Sequence, residues 1–294
     1  MSRTLLRTIG VRASAAAIVL LGAWAAFTQT QSTQTKTATR PATTQKVKDG
    51  LYMISGEGGN VAALVTDEGL ILVDDMYDRN YAAVMGQVKM LSDKPIRYVL
   101  NTHQHDDHSG SNAQMLAASV EIIAHRNARI NMIALKQPGA PRITFNDEMD
   151  VHLGGKEVRT RHYGRGHTGG DAVIFFPEQK VIHTGDLFLT RPTQPYIDYA
   201  NGGSAIEWTK ALDEVLKLDF DTIIPGHGPL SDRAGLVKWR ADFEAMRNRI
   251  QGMVRQGKSK DEVSQTLIKD FGWPVGGLAI GQVDAFISEM KNVR

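Results

Sequence analysis

Residues 102–108 read Thr-His-Gln-His-Asp-Asp-His and place three of the chain's nine histidines, with two aspartates, directly after the run Ile96–Leu100. A helix would send His103 and His105 to different sides, but on an irregular turn after a strand alternate side chains can converge on one point. Imidazole nitrogen and carboxylate oxygen are the donors zinc accepts where thiolate is absent, and the chain has no cysteine. The turn therefore reads as metal-holding rather than as solvated polar surface. Three further positions share the setting of a strand end: His167 in Gly166-His167-Thr168-Gly169-Gly170, Asp186 in Thr184-Gly185-Asp186, and His227 in Pro225-Gly226-His227-Gly228. Any one of them alone would be polar surface. Four such sites in one chain point to a shared metal centre.

Regular elements must position those turns. Leu51–Ser55, Val61–Thr66 and Leu70–Val73 are short apolar runs joined by residues with turn chemistry, Gly56-Glu57-Gly58-Gly59-Asn60 and Asp67-Glu68-Gly69, so hairpins open the domain. Asn80–Leu91 spaces Tyr81, Val84, Met85, Val88 and Leu91 as one helical face, after which Ile96–Leu100 reads as a buried strand. A second set of strands follows at Glu148–Leu153, Glu157–His162, Ala172–Phe176, Lys180–His183 and Thr222–Pro225, with a helix over Ile206–Leu216. From about residue 231 the chain turns helical, over Ala234–Arg255 and Lys260–Phe271. Strands in two sets with helices outside predict an α/β fold: an αββα four-layer sandwich, two packed mixed β-sheets with helices on both outer faces.

Composition sets the outer limits. A chain of 294 residues, 42% hydrophobic and 22% charged, is neither disordered nor fibrous. Its formal charge of +2 is spread along the chain, which argues against nucleic acid as a partner and leaves a small-molecule substrate as the expectation. Arg3, Arg7 and Arg12 precede a mostly apolar stretch from Ala13 to Phe27, and Ala23-Trp24-Ala25 has the small-x-small pattern of a signal-peptidase site. The apolar run falls short of the roughly 20 residues a membrane span needs. Residues 1–27 are thus expected to be a cleaved signal peptide, with the mature chain periplasmic or secreted and not stably membrane-associated. Residues 28–46, rich in Thr, Gln, Ser and Ala, are expected to be a flexible linker, and 47–294 the folded domain.

The combined motifs resemble the metallo-β-lactamase-fold superfamily of metal-dependent hydrolases: His103-x-His105-x-Asp107-His108, His167, Asp186 and His227 in the family's order, with Asp74 in Ile71-Leu72-Val73-Asp74-Asp75 at the end of an early strand. The resemblance spans residues 47–229. It implies a zinc ion on His103, His105 and His167, a second on Asp107, His108 and His227, and Asp186 bridging the two, with Asp74 ordering the histidine turn. Iron or manganese would suit the same donors. By the same resemblance, hydroxide formed from water between the metals attacks an ester, lactone, thioester or lactam carbonyl, and Asp107 orients that water or accepts its proton. Asp186 stands where one lactamase subclass places a cysteine, which pulls the chain toward the glyoxalase II and lactonase-like side; export favours a lactamase-like or scavenging role. β-Lactamase activity is the nearest alternative, and an iron-containing oxidoreductase or a non-catalytic metal-binding protein the alternative of another class. His125, His152, His162 and His183 are expected to be structural, and Leu187–Asp198 to be a wall of the substrate site.

Overall fold

The computed structural model describes residues 41–275 and 281–292. The expected signal peptide, residues 1–27, lies outside the described residues. The expected linker ends earlier than its composition predicts. Strand β1 (Thr43–Lys48) includes residues 43–46 and pairs antiparallel with β2 (Leu51–Ser55). A polar strand with Val47 as its one large apolar residue is tolerated there because an edge strand pairs on one side and shows the rest to water.

Sheet A runs β1-β2-β3-β4-β5-β6-β7, with β3 at Val61–Val65, β4 at Leu70–Val73, β5 at Ile96–Asn101, β6 at Glu121–His125 and β7 at Ile143–Phe145. Its first half is a meander of antiparallel hairpins, and β4 to β7 are parallel. Sheet B is ordered β13-β12-β11-β10-β9-β8, from β8 (Glu148–Leu153), β9 (Lys156–Arg161), β10 (Val173–Phe176), β11 (Val181–His183), β12 (Thr222–Ile224) and β13 (Ser231–Asp232); only β11 and β12 pair in parallel.

Period-two side-chain alternation builds the layers. In β4, Ile71 and Val73 face the other sheet, where they join Ile174, Phe176 and Val181. Leu70 and Leu72 face outward onto α1 (Tyr81–Leu91), through Val84 and Val88, and onto α3 (Asn112–Ala117), through Met115. All four β4 residues are fully covered, which is why a doubly packed strand reads as a continuous apolar run. On the far side Val173, Phe175, Ile182 and Ile223 of sheet B meet Trp208 and Leu212 of α5 (Ala205–Val215), Trp239 and Phe243 of α6 (Arg233–Arg255), Leu267 of α7 (Lys260–Phe271) and Phe286 of α8 (Val283–Lys291). The four-layer α/β sandwich expected from the strand grouping is the fold observed. Sequence periodicity gives no sign of α4 (Arg126–Ala134), because Ile130 and Ile133 face solvent and blur its apolar stripe.

Candidate metal centre

The seven candidate residues meet at one end of the sandwich, where strands finish. β5 delivers Thr102–His105 as irregular backbone, and the single turn α2 (Asp106–Ser109) then presents Asp107 and His108. The expected irregular turn is therefore half helical. His167 lies in the connection from β9 to β10, Asp186 follows β11, and His227 follows β12.

The donor atoms fall into three overlapping groups, each within 4.8 Å: His103, His105 and His167; Asp107, His108 and His227; and His103, His108 and Asp186. In the first group His105 Nδ1 lies 3.1 Å from His103 Nε2 and 2.8 Å from His167 Nε2. In the second, His227 Nε2 is 3.1 Å from Asp107 Oδ2 and 3.2 Å from His108 Nε2. Asp186 stands between them. Its Oδ1 is 3.1 Å from His108 Nε2 and 3.5 Å from His227 Nε2, while its Oδ2 is 3.7 Å from His167 Nε2.

Four of the five imidazoles that turn one nitrogen inward have the other held by a hydrogen bond, which settles ring orientation. His167 Nδ1–H donates to the Tyr196 carbonyl (2.7 Å), and His105 Nε2–H to Asp198 Oδ2 (2.8 Å). His108 Nδ1–H donates to Asp74 Oδ2 (2.7 Å). His103 Nδ1 lies 3.0 Å from the Thr102 hydroxyl, which itself donates to Asp74 Oδ2 at 2.8 Å. Asp74 Oδ1 also accepts from the Thr102 backbone N–H at 2.7 Å, so one buried carboxylate holds His108 directly and His103 through Thr102. Asn60 does comparable work for His227. Its amide donates to the carbonyls of Pro225 (2.9 Å) and Gly228 (2.8 Å), and its backbone N–H donates to Gly226 (2.7 Å). Glycine is required at two close approaches: a Cβ on Gly59 would strike the His108 ring, and one on Gly226 would strike Asp186 Oδ1.

Electrostatics divide the cluster. Burial, with His108, His167 and His105 adding to it, holds His103 well below the ordinary histidine range. Burial and His105 likewise take His167 down to about 4. Both rings are neutral at pH 7, as ligands must be. Burial also opposes charge on the other side, but there the carboxylates outweigh it. Asp186, Asp107 and Asp74 hold His108 well above its ordinary value, and Asp186 and Asp107 bring His227 up to about 9. Conversely, His108 and His227 keep Asp107 and Asp186 ionised below the carboxylate range despite their burial.

The residues fit a metal pair. Buried Asp186 Oδ1 receives no aligned hydrogen bond although two imidazoles lie beside it, and three imidazole nitrogens converge at spacings close to those of a tetrahedral face around zinc. The oxygen and nitrogen donors, without thiolate, equally suit iron or manganese.

Of the other histidines, His183 bonds to backbone at both nitrogens, at Asn60 O and Gly185 N. His125 and His162 stack on each other at 4.0 Å away from the cluster, and His152 lies exposed on β8. The Leu187–Asp198 stretch serves two regions. Tyr196 packs 5.7 and 5.9 Å from the rings of His167 and His105, and Asp198 bonds to His105. Phe188 to Thr190 and Thr193 to Pro195 instead line a separate cavity of about 650 Å³ against α6 and α7. Asn60 and Asp198 stand outside the histidine motifs, and Thr102 opens one of them without an expected role. They act through contacts spanning 165, 93 and 28 positions, which local spacing does not register.

Comparison with known proteins agrees with this arrangement. Residues 54–227, more than half of the chain, match the family model of the metallo-beta-lactamase superfamily. The chain is 28% identical over 209 residues to 2,4-dinitroanisole O-demethylase subunit alpha of Nocardioides sp., a match covering 69% of this chain and 61% of that one. It is 27% identical over 195 residues to the type 2 metallo-beta-lactamase of Bacillus cereus, covering 64% of this chain and 74% of the relative. The solved metallo-beta-lactamase of Pontibacter korlensis superposes with a TM-score of 0.63 at 20% identity, over 69% of this chain and 99% of that one. With the sandwich, the histidine and aspartate cluster and the matched span in agreement, the chain belongs to the metallo-β-lactamase superfamily and is a hydrolase of that family.

Proposed function

We propose that the protein is an exported hydrolase that holds two zinc ions per chain and cleaves a small ester, lactone, thioester or lactam. The observation that carries this reading is the position of Asp186, one oxygen toward His108 and His227 and the other toward His167, between two sets of three donors. His103, His105 and His167 would hold one ion, Asp107, His108 and His227 the other, and Asp186 both. When bound, such ions lower the pKa of water to near neutrality and polarise a carbonyl oxygen.

The chain's own residues supply access and proton handling. His103 and His108 are covered, whereas His105, Asp107 and His227 keep about a fifth to a quarter of their side-chain surface open, so substrate meets the centre from that side. Asp107 is ionised and faces the opening, where it can orient water or accept its proton. Tyr196 gives the entrance an apolar wall beside His105 and His167. Export rests on the N-terminal sequence. Sequencing the N-terminus of protein recovered from native cells should give a start near Ala26; an intact Met1 would refute cleavage.

A β-lactam substrate is the second reading, favoured by relatives from Bacillus cereus and Chryseobacterium indologenes that are metallo-beta-lactamases. Asp186 weighs against it, because the thiolate lactamase pattern has cysteine at that place. Wild type and Asp107→Asn, run against lactams, lactones, thioesters, and phosphate and sulfate esters, test the proposal. The substitution should lower turnover ~10²–10⁴-fold on every accepted substrate. Full activity with both metals bound would contradict the role of Asp107, and a preference for phosphodiesters would contradict the substrate class.

A further inference from the structure

The three-histidine group is held from an unexpected direction. Two of its rings depend on one short stretch, residues 196–204. The Tyr196 carbonyl accepts from His167 Nδ1–H, the Asp198 N–H donates to the His167 carbonyl at 2.8 Å, and the Asp198 carboxylate accepts from His105. Asn201 fixes that carboxylate with its side-chain amide (2.6 Å) and its backbone N–H (3.2 Å). The Ser204 N–H donates to the carbonyl of Gly166, next to His167, at 2.9 Å. The stretch is a clamp around one half of the centre.

The middle and the far end of the clamp are fastened to the last described helix by a single side chain. Glu289 of α8 accepts from the Tyr199 hydroxyl at 2.7 Å, the Ser204 hydroxyl at 2.5 Å and the Ala205 N–H at 3.0 Å. Tyr199 adjoins Asp198, and Ser204 is both the residue bonded to Gly166 and the N-cap of α5, where its oxygen accepts from the Glu207 N–H. Burial and the neighbouring Glu289 push the Tyr199 hydroxyl up, so it stays a donor throughout the ordinary pH range. The other half of the centre takes its fixed contacts from Asp74 and Asn60, on strand ends of sheet A.

We infer that Glu289 is a positioning residue for the three-histidine site: by pinning Tyr199 and Ser204 it holds Asp198 and the His167 loop in place, and so sets metal affinity at that site and not at the Asp107/His108/His227 site. The inference rests on the reading that the three histidines hold a metal ion. It gives the C-terminal helix a task at the centre, because Glu289 links α8 to the histidines through a chain of hydrogen bonds.

The test is competitive Co²⁺ titration of the full-length protein against a chelator, with visible absorption and the paramagnetically shifted imidazole N–H resonances reporting each site. Glu289→Ala should weaken the three-histidine site ~10- to 100-fold, the usual cost of losing an orienting partner, and leave the other site within about threefold. Glu289→Gln, whose amide keeps one acceptor oxygen, should fall between. The His105 N–H resonance, now sheltered by Asp198, should exchange faster in both. Asp284→Ala, on the same helix as Glu289, removes an exposed ion pair to Lys260 of α7 and should change neither site. If Glu289→Ala does not fold, Tyr199→Phe carries the test, with a ~3- to 10-fold loss expected at the three-histidine site alone. Equal weakening of both sites, or none at either, overturns the inference. Failure of wild type to take up Co²⁺ on the three histidines overturns the underlying metal reading instead.

Discussion

The two halves of the candidate metal centre are built from different parts of the chain and carry different charge. The three-histidine half hangs largely on the 196–204 clamp beside sheet B and the C-terminal helices, and burial keeps His103 and His167 neutral. The Asp107/His108/His227 half is held by Asp74 and Asn60 at the ends of sheet A strands, and its carboxylates draw protons onto His108 and His227. His103 and His167 are therefore ready for a cation as they stand. His108 and His227 must first release protons. Similar donors at similar spacing differ in how they load because carboxylates outweigh burial at His108 and His227, whereas burial and neighbouring imidazoles outweigh Asp186 at His103 and His167.

The contrast is lost if a residue whose hydrogen bonds support both halves is removed, and Asp74 is such a residue. Asp74→Ala removes the acceptor of His108, the Thr102 N–H and the Thr102 hydroxyl that meets His103. Stranding those buried donors should cost roughly 3–5 kcal/mol of stability in denaturant unfolding and weaken metal binding at both sites. Loss of metal at one site alone would contradict the shared role. A narrower change sharpens the contrast: Asp198→Ala should weaken the three-histidine site by ~10- to 100-fold while sparing the other, as read by stepwise zinc competition. The smallest effect is expected at Asn60. Asn60→Ala leaves the carbonyls of Pro225 and Gly228 without their donor, and should lower affinity only at the His227 side, by about 10-fold. Equal losses at both sites in that variant would mean that Asn60 supports the fold and not the His227 loop.

The same contrast separates what the sequence made legible from what it did not. Every residue of the cluster sits in a connection that follows a strand, beside glycine or within a run of histidines, so local pattern exposes it. β4 and β10 were legible because both faces are buried and their apolar runs are unbroken. Asn60, Asp198 and Glu289 are ordinary polar residues whose work lies in contacts far along the chain, and no periodicity marks them. β1 escaped notice because a water-facing edge strand needs few apolar residues, and α4 because its apolar residues point partly outward.

The most direct measurement is zinc binding by equilibrium dialysis with elemental analysis, repeated between pH 6 and 9. His227 holds its proton up to about pH 9 and His108 is also raised, so below pH 9 a metal ion entering that half displaces up to two protons. Falling pH should then weaken this site by ~10- to 100-fold per unit. His167, at about 4, and His103, held lower than an ordinary histidine, have no proton to lose across this range. Two zinc ions per chain are expected near pH 9, one of them lost as pH falls toward 6 while the ion on the three histidines is retained. Loss of both ions together, or a single site at every pH, would contradict this expectation.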